Sequence, residues 1–127
     1  MLKIVTVGVP VGIIASAALA GLAYHFVSNS TELVRSDMVR ALSGNIVAQR
    51  KVARCYETGC IYAPQDLVYG CAWRKIILQE QREKPLTADV VAEAKTCKSV
   101  NAAQFQFVKR AMKAIHNVLD SNSHPHL

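Results

Sequence analysis

The side chains best equipped for bond-making in this chain are four cysteines, Cys55, Cys60, Cys71 and Cys97. They are even in number, and no two stand at the two-residue spacing that a zinc site or a redox dithiol uses. Two structural disulfides are the expected chemistry, and such bonds persist in oxidising compartments. The histidines offer less. His25 adjoins an apolar segment, and His116 falls within an amphipathic pattern, where a surface or hydrogen-bonded core histidine is commoner than a catalytic base. His124 and His126 sit in a polar tail without fixed geometry for a metal. Glu57, Asp66, Glu80, Glu83, Asp89 and Glu93 read as helix-surface and helix-end charges. No nucleophile, base and orienting group can be assembled, so the expectation is a protein that is not an enzyme, with no metal, cofactor or small-molecule substrate.

The elements that position these residues are all helical. From Ile4 to Tyr24 no residue is charged, and a helix of that length, rising about 1.5 Å per residue, spans roughly the 30 Å hydrocarbon core of a bilayer. The competing reading is a cleaved signal peptide, with Lys3 as its basic start and Ala18-Leu19-Ala20 or Gly21-Leu22-Ala23 at the cleavage positions. The length of the segment favours an uncleaved anchor. Gly8, Gly12, Ser16 and Ala20 recur every fourth residue and form a small-residue stripe on which another membrane helix could pack. Lys3 competes with Arg35 and Arg40 in setting orientation, and the cysteines decide for an oxidising side, the periplasm in a bacterial cell. The expected location is the inner membrane with a periplasmic C-terminal domain, or a soluble secreted or periplasmic form after cleavage.

Beyond the segment, residues 28–44 read as a connector helix over Ser30 to Ser43, stopped by Gly44. A helical domain follows over residues 45–120. Asn45 N-caps a helix that ends at Gly59. A third begins at Gln65-Asp66 and runs to about Glu83, before Pro85. A fourth runs from Thr87, the expected N-cap, to Cys97, with Leu86 placed to pack on Val91. A fifth opens with a capping box, Asn101 and Gln104, and carries Phe105, Val108, Met112, Ile115 and Leu119 on one face with Lys109, Arg110 and Lys113 outward. Residues 121–127 read as a frayed polar tail. The fold class is therefore all-α: an N-terminal transmembrane or signal helix followed by a small bundle of antiparallel helices.

Within the bundle, Ala48, Val52, Ala53, Tyr56 and Gly59, followed by Pro64-Gln65-Asp66 and Trp73, fall at a spacing that resembles the Sel-one-like repeat of the tetratricopeptide-related αα repeats. The likeness covers residues 48–77 as a single unit. Ile61 stands where that family prefers glycine, and Gly70 and Ile77 stand where it prefers alanine. Physically, Ala53 lets two helices approach, Tyr56 and Trp73 fill the space between them, and Gly59 permits a left-handed turn. The resemblance implies a protein-binding module, with the first helix of the hairpin as the contact surface: Arg50, Lys51 and Arg54, with Glu57. Repeats of this kind normally need about three copies to bury their faces, so one unit calls for support from flanking helices, disulfides or a partner. Alternating helix directions bring all four cysteines to one end of the domain. The pairing expected there is Cys55 with Cys71 and Cys60 with Cys97.

The chain carries 15 Lys and Arg against 9 Asp and Glu, a net charge of +6. That balance favours anionic neighbours such as lipid headgroups or acidic proteins. No run of five basic residues and no nucleic-acid-binding motif occurs, so nucleic acid is not an expected partner. The expected partners are membrane lipid and other protein subunits of a membrane complex. A soluble, disulfide-stapled binder or enzyme inhibitor is the alternative, and a small membrane-bound enzyme a weaker one.

Overall fold

The computed structural model describes residues 35–60 and 63–124. The apolar segment, with Gly8, Gly12, Ser16 and Ala20, lies outside them, as does the start of the connector. Among the described residues no helix is long and apolar enough to cross a membrane. The described chain is helical, without strands: α1 (residues 35–42), α2 (Ile46–Thr58), α3 (Leu67–Glu80), α4 (Thr87–Lys98) and α5 (Ala102–Ser123).

Local chemistry accounts for most boundaries. The Asn45 side chain accepts the Ala48 N–H at 2.9 Å, and Gly59 ends α2 with φ +75°, a conformation that costs glycine little. Asp66 accepts the N–H groups of Val68 and Tyr69 to start α3. The capping box of α5 is formed from both sides, Asn101 accepting from Gln104 N–H and Gln104 accepting from Asn101 N–H.

Three expectations fail at helix ends. α3 stops at Glu80, not Glu83, because the Gln81 side chain is drawn into the following turn, accepting the Leu86 N–H at 2.8 Å and donating to Asp89 at 2.6 Å. Consequently Leu86 is the N-cap of α4 and Thr87 its first helical residue, and Leu86 and Val91 are 55% and 62% exposed instead of packed. α5 continues to Ser123, and near its end the Asn122 amide donates to the Leu42 carbonyl at 2.9 Å, tying α5 to α1.

α3 is the centre of the domain, with α2, α4 and α5 packed around it. Its sequence is apolar on most sides, and Cys71, Ala72, Trp73, Ile76 and Ile77 are buried. α2 contributes Ala48, Val52 and Ala53 to the core, and α5 contributes Val108, Ala111, Ile115 and Leu119. Trp73 is 2% exposed; burial of a side chain of this size stabilises by roughly 2–3 kcal/mol. α1 joins the same core through Ala41, with Met38 and Leu42 against it, and the buried Gln49 of α2 donates to the Ala41 carbonyl.

Candidate functional site

α2 and α4 flank α3 without packing closely on each other, and the space between them is a groove of about 430 Å³. Its α2 wall carries Val47, Arg50, Lys51 and Arg54; its α4 wall carries Leu86, Ala88, Asp89 and Ala92; Arg74 of α3 lies at its floor. Three of the four residues expected on the contact strip thus line one feature. Glu57 does not. It turns inward, receiving Arg74 Nε at 2.6 Å, Arg74 Nη2 at 2.8 Å and the Thr96 hydroxyl at 2.6 Å, so that it joins α2, α3 and α4. Gly70 makes room for this clasp, since a Cβ there would lie 3.2 Å from Glu57 Cγ and 3.4 Å from Thr96 Cγ2.

A second clasp closes the other end of the groove. Arg50 holds Asp89 through Nε at 3.0 Å and Nη2 at 2.7 Å, and Gln81 donates to the same carboxylate. Lys75 and Glu93 form a third link between α3 and α4 at 2.6 Å. Asp89 and Glu57, read from the sequence as surface charges, are therefore interhelical ties; Asp89 is only 4% exposed. Arg74 is the signal that could have found one of them, because an arginine four residues after Gly70 and flanked by Cys71, Ala72, Trp73, Ile76 and Ile77 falls among core positions and must be paired when buried.

The electrostatics follow from these contacts. The hydrogen bond from Arg50 holds the Asp89 carboxyl below its ordinary range against the opposing effect of burial. Burial pushes the Glu57 carboxyl up, but the hydrogen bonds from Arg74 and Thr96 and the charges of Arg74 and Arg54 together leave it lowered. The Arg50 guanidinium is raised in turn by its bond to Asp89. Both carboxylates are thus fixed as anions and engaged, which suits neither for proton transfer. Lys51 is 3.6 Å from Asp37 of α1 and largely exposed, and Arg54 is exposed on the groove wall. The groove thus sets the exposed cations Lys51 and Arg54 beside aliphatic side chains, with Val47 and Leu86 exposed at its rim.

The cysteines pair differently from the expected connectivity: Cys55 with Cys60 and Cys71 with Cys97, at Cα–Cα distances of 5.1 and 4.9 Å. They do gather at one end of the domain, but local geometry chooses the partners. The turn at Gly59 folds Cys60 back against Ala63 through paired backbone hydrogen bonds, within reach of Cys55 in the last turn of α2. Cys71 lies on α3 against Cys97 of α4, whose sulfur also approaches the Cys71 carbonyl. The remaining histidine of the described helices, His116, bonds Gln79 at 2.7 Å beside Glu80, Arg82 and Asp120. Among the described residues no group of three or more His, Cys, Asp or Glu could hold a metal ion. No family model, curated protein or solved structure matches the chain.

Proposed function

We infer that this protein is a membrane-tethered interaction module, an accessory or structural subunit of a cell-envelope complex, whose α2/α4 groove receives an acidic segment of a partner protein. The observation that carries the reading is the groove wall of Arg50, Lys51 and Arg54 facing exposed aliphatic residues. Arg50 is committed to Asp89 and Lys51 is paired with Asp37 at 3.6 Å, so the cation presented to a ligand is foremost Arg54, with the largely exposed Lys51 beside it. The uncharged segment Ile4 to Tyr24 supports the tether. The disulfides support an oxidising, periplasmic location for the body. The resemblance of residues 48–77 to the Sel-one-like repeat supports protein binding.

Gently solubilised full-length protein is expected to copurify with a membrane assembly in stoichiometric amount. Lys51→Glu with Arg54→Glu is expected to abolish that association while leaving the helical circular dichroism signal unchanged. A lone monomer with nothing stoichiometric attached removes the proposal. The same preparation separates the tethered form from a secreted binder, for which an intact mass lacking about the first 20 to 23 residues is expected.

A further inference from the structure

The two disulfides differ in their surroundings. Cys71 is fully buried in the core and Cys97 packs against it, so the bond that joins α3 to α4 is screened on the side of Cys71. Cys55 and Cys60 stand outside that core, and both are half-buried. Their bond closes only the stretch from the last turn of α2 past the turn at Gly59, a sequence separation of 5 against 26. Opening a short loop releases less chain entropy than opening a long one, so the bundle withstands loss of Cys55–Cys60 more readily. Thiol–disulfide exchange requires a thiolate to reach one sulfur while the other leaves. Access and loop size both select Cys55–Cys60 for it.

The charges beside this bond select a direction of attack. Lys51 stands one turn before Cys55 on the same side of α2, and Arg54 is the chain neighbour of Cys55; both cations are exposed. Lys51 is 3.6 Å from Asp37, a contact that leaves its side chain 59% exposed. Glu57, the nearest carboxylate along the chain, turns away into its clasp with Arg74 and Thr96. Cys60 has no cation within three residues on either side. Cations beside a cysteine stabilise its thiolate and make it the better leaving group, and here they stand beside Cys55.

We propose that Cys55–Cys60 is a site of reversible thiol–disulfide exchange with a dithiol reductant, which attacks Cys60 and expels Cys55 as a thiolate beside Lys51 and Arg54. The attacking thiolate bonds to Cys60 Sγ as the Cys55–Cys60 bond breaks, and Cys55 then takes up a proton. The second thiol of the reductant displaces Cys60 from this mixed disulfide. Two electrons and two protons pass to the protein, which holds two thiols, and the reductant leaves as a disulfide. The exchange regulates the groove between α2 and α4, and in that respect it rests on the proposed binding role. The closed bond pins the stretch Tyr56 to Gly59, where the Tyr56 carbonyl accepts the Asp66 N–H at 2.8 Å, the Glu57 carbonyl accepts Gln65 Nε2 at 2.7 Å, and the Glu57 carboxylate joins α2, α3 and α4. Opening it loosens the end of α2 that carries Arg54 on the groove wall, and binding of an acidic segment weakens.

The test uses the oxidised full-length chain in detergent. Graded exposure to dithiothreitol, quenched with iodoacetamide and mapped by peptide mass spectrometry, is expected to alkylate Cys55 and Cys60 about tenfold faster than Cys71 and Cys97, with the helical circular dichroism signal unchanged. Glutathione, a monothiol, quenched with acid after brief exposure, is expected to be found on Cys60. Lys51→Gln with Arg54→Gln is expected to slow the opening about threefold. Opening of Cys71–Cys97 first or at the same rate, or loss of the helical signal as Cys55–Cys60 opens, overturns the exchange site. Glutathione on Cys55, or an unchanged rate in the double variant, overturns the direction of attack. Partner copurification is expected to fall about threefold after selective opening and alkylation. Equal copurification from both forms overturns the regulation and leaves the binding role standing. Absence of a partner from both forms removes the binding role alone, and the order of alkylation still decides the exchange site.

Discussion

The two sides of α3 are held by different forces. Toward α5 the interface is apolar, with Val108, Ala111, Ile115 and Leu119 closing over Trp73, Ile76 and Ile77, and one polar contact, His116 with Gln79, at its edge. Toward α2 and α4 the apolar packing is interrupted by the Glu57–Arg74–Thr96 and Arg50–Asp89–Gln81 clasps, and a disulfide joins α3 to α4. The apolar side supplies stability that depends on area and is indifferent to charge state. The polar side holds α2 and α4 at a set separation, because an ion pair with several hydrogen bonds tolerates few arrangements. The groove exists because α2 and α4 are tied across a gap in place of collapsing together.

The comparison can be broken most severely at the centre both sides share. Trp73→Ala is expected to cost about 3–5 kcal/mol, enough to remove cooperative thermal unfolding followed by circular dichroism; retention of a sharp transition with a small drop in Tm would show that the core does not depend on this ring. Nearly as large is Glu57→Ala, which leaves the Arg74 guanidinium, 8% exposed, without its partner at a cost of about 3 kcal/mol. The double variant Glu57→Leu with Arg74→Met is expected to recover most of that loss, and denaturant titration of the single and double variants measures the difference.

Replacing Cys71 and Cys97 by serine opens a loop of sequence separation 26 and is expected to cost about 3 kcal/mol, whereas the same exchange at Cys55 and Cys60, separation 5, is expected to cost about 2 kcal/mol. An equal or reversed order in chemical denaturation would mean that the loop at Gly59 carries more of the fold than the α3–α4 staple.

Acid separates the two sides directly. The carboxyls of Asp89 and Glu57 are both lowered in the folded protein, so their contribution is fully present above the ordinary carboxylate range and is lost as pH falls through that range toward their folded values. Denaturant midpoints are expected to drop between neutral pH and about pH 4, and the drop is expected to shrink in the double variant that replaces Glu57 and Arg74 by apolar side chains. Val108→Ala, on the apolar side, is expected to lower stability by the same amount at both pH values. The smallest effect is Gly70→Ala: its Cβ would press on Glu57 Cγ and Thr96 Cγ2, and a loss of about 1 kcal/mol is expected, removed when Glu57 is already replaced by alanine.

What could be read before folding follows the range of the interactions involved. The Asn45 cap, the Gly59 stop, Asp66 and the Asn101–Gln104 box were legible because each is made between residues two to four apart, so spacing alone reports them. The outward cations of α5 and its buried Val108, Ile115 and Leu119 follow from helical periodicity. The early stop of α3 was not legible, since it depends on where Gln81 finds Asp89. The strip of Arg50, Lys51 and Arg54 could be seen on α2, but its role as one wall of a groove needed α4 opposite it.

By itself the sequence determined the helices, the caps of α2, α3 and α5 at Asn45, Asp66 and Asn101, the charge imbalance and the presence of disulfide-forming cysteines, because these depend on near neighbours and composition. Only the tertiary structure decided which cysteines join, that Glu57 faces Arg74 17 residues away, and that Arg50 meets Asp89 39 residues away. Such partners are chosen by how α2 and α4 sit against α3, and a spacing pattern within one helix holds no record of what another helix brings to it.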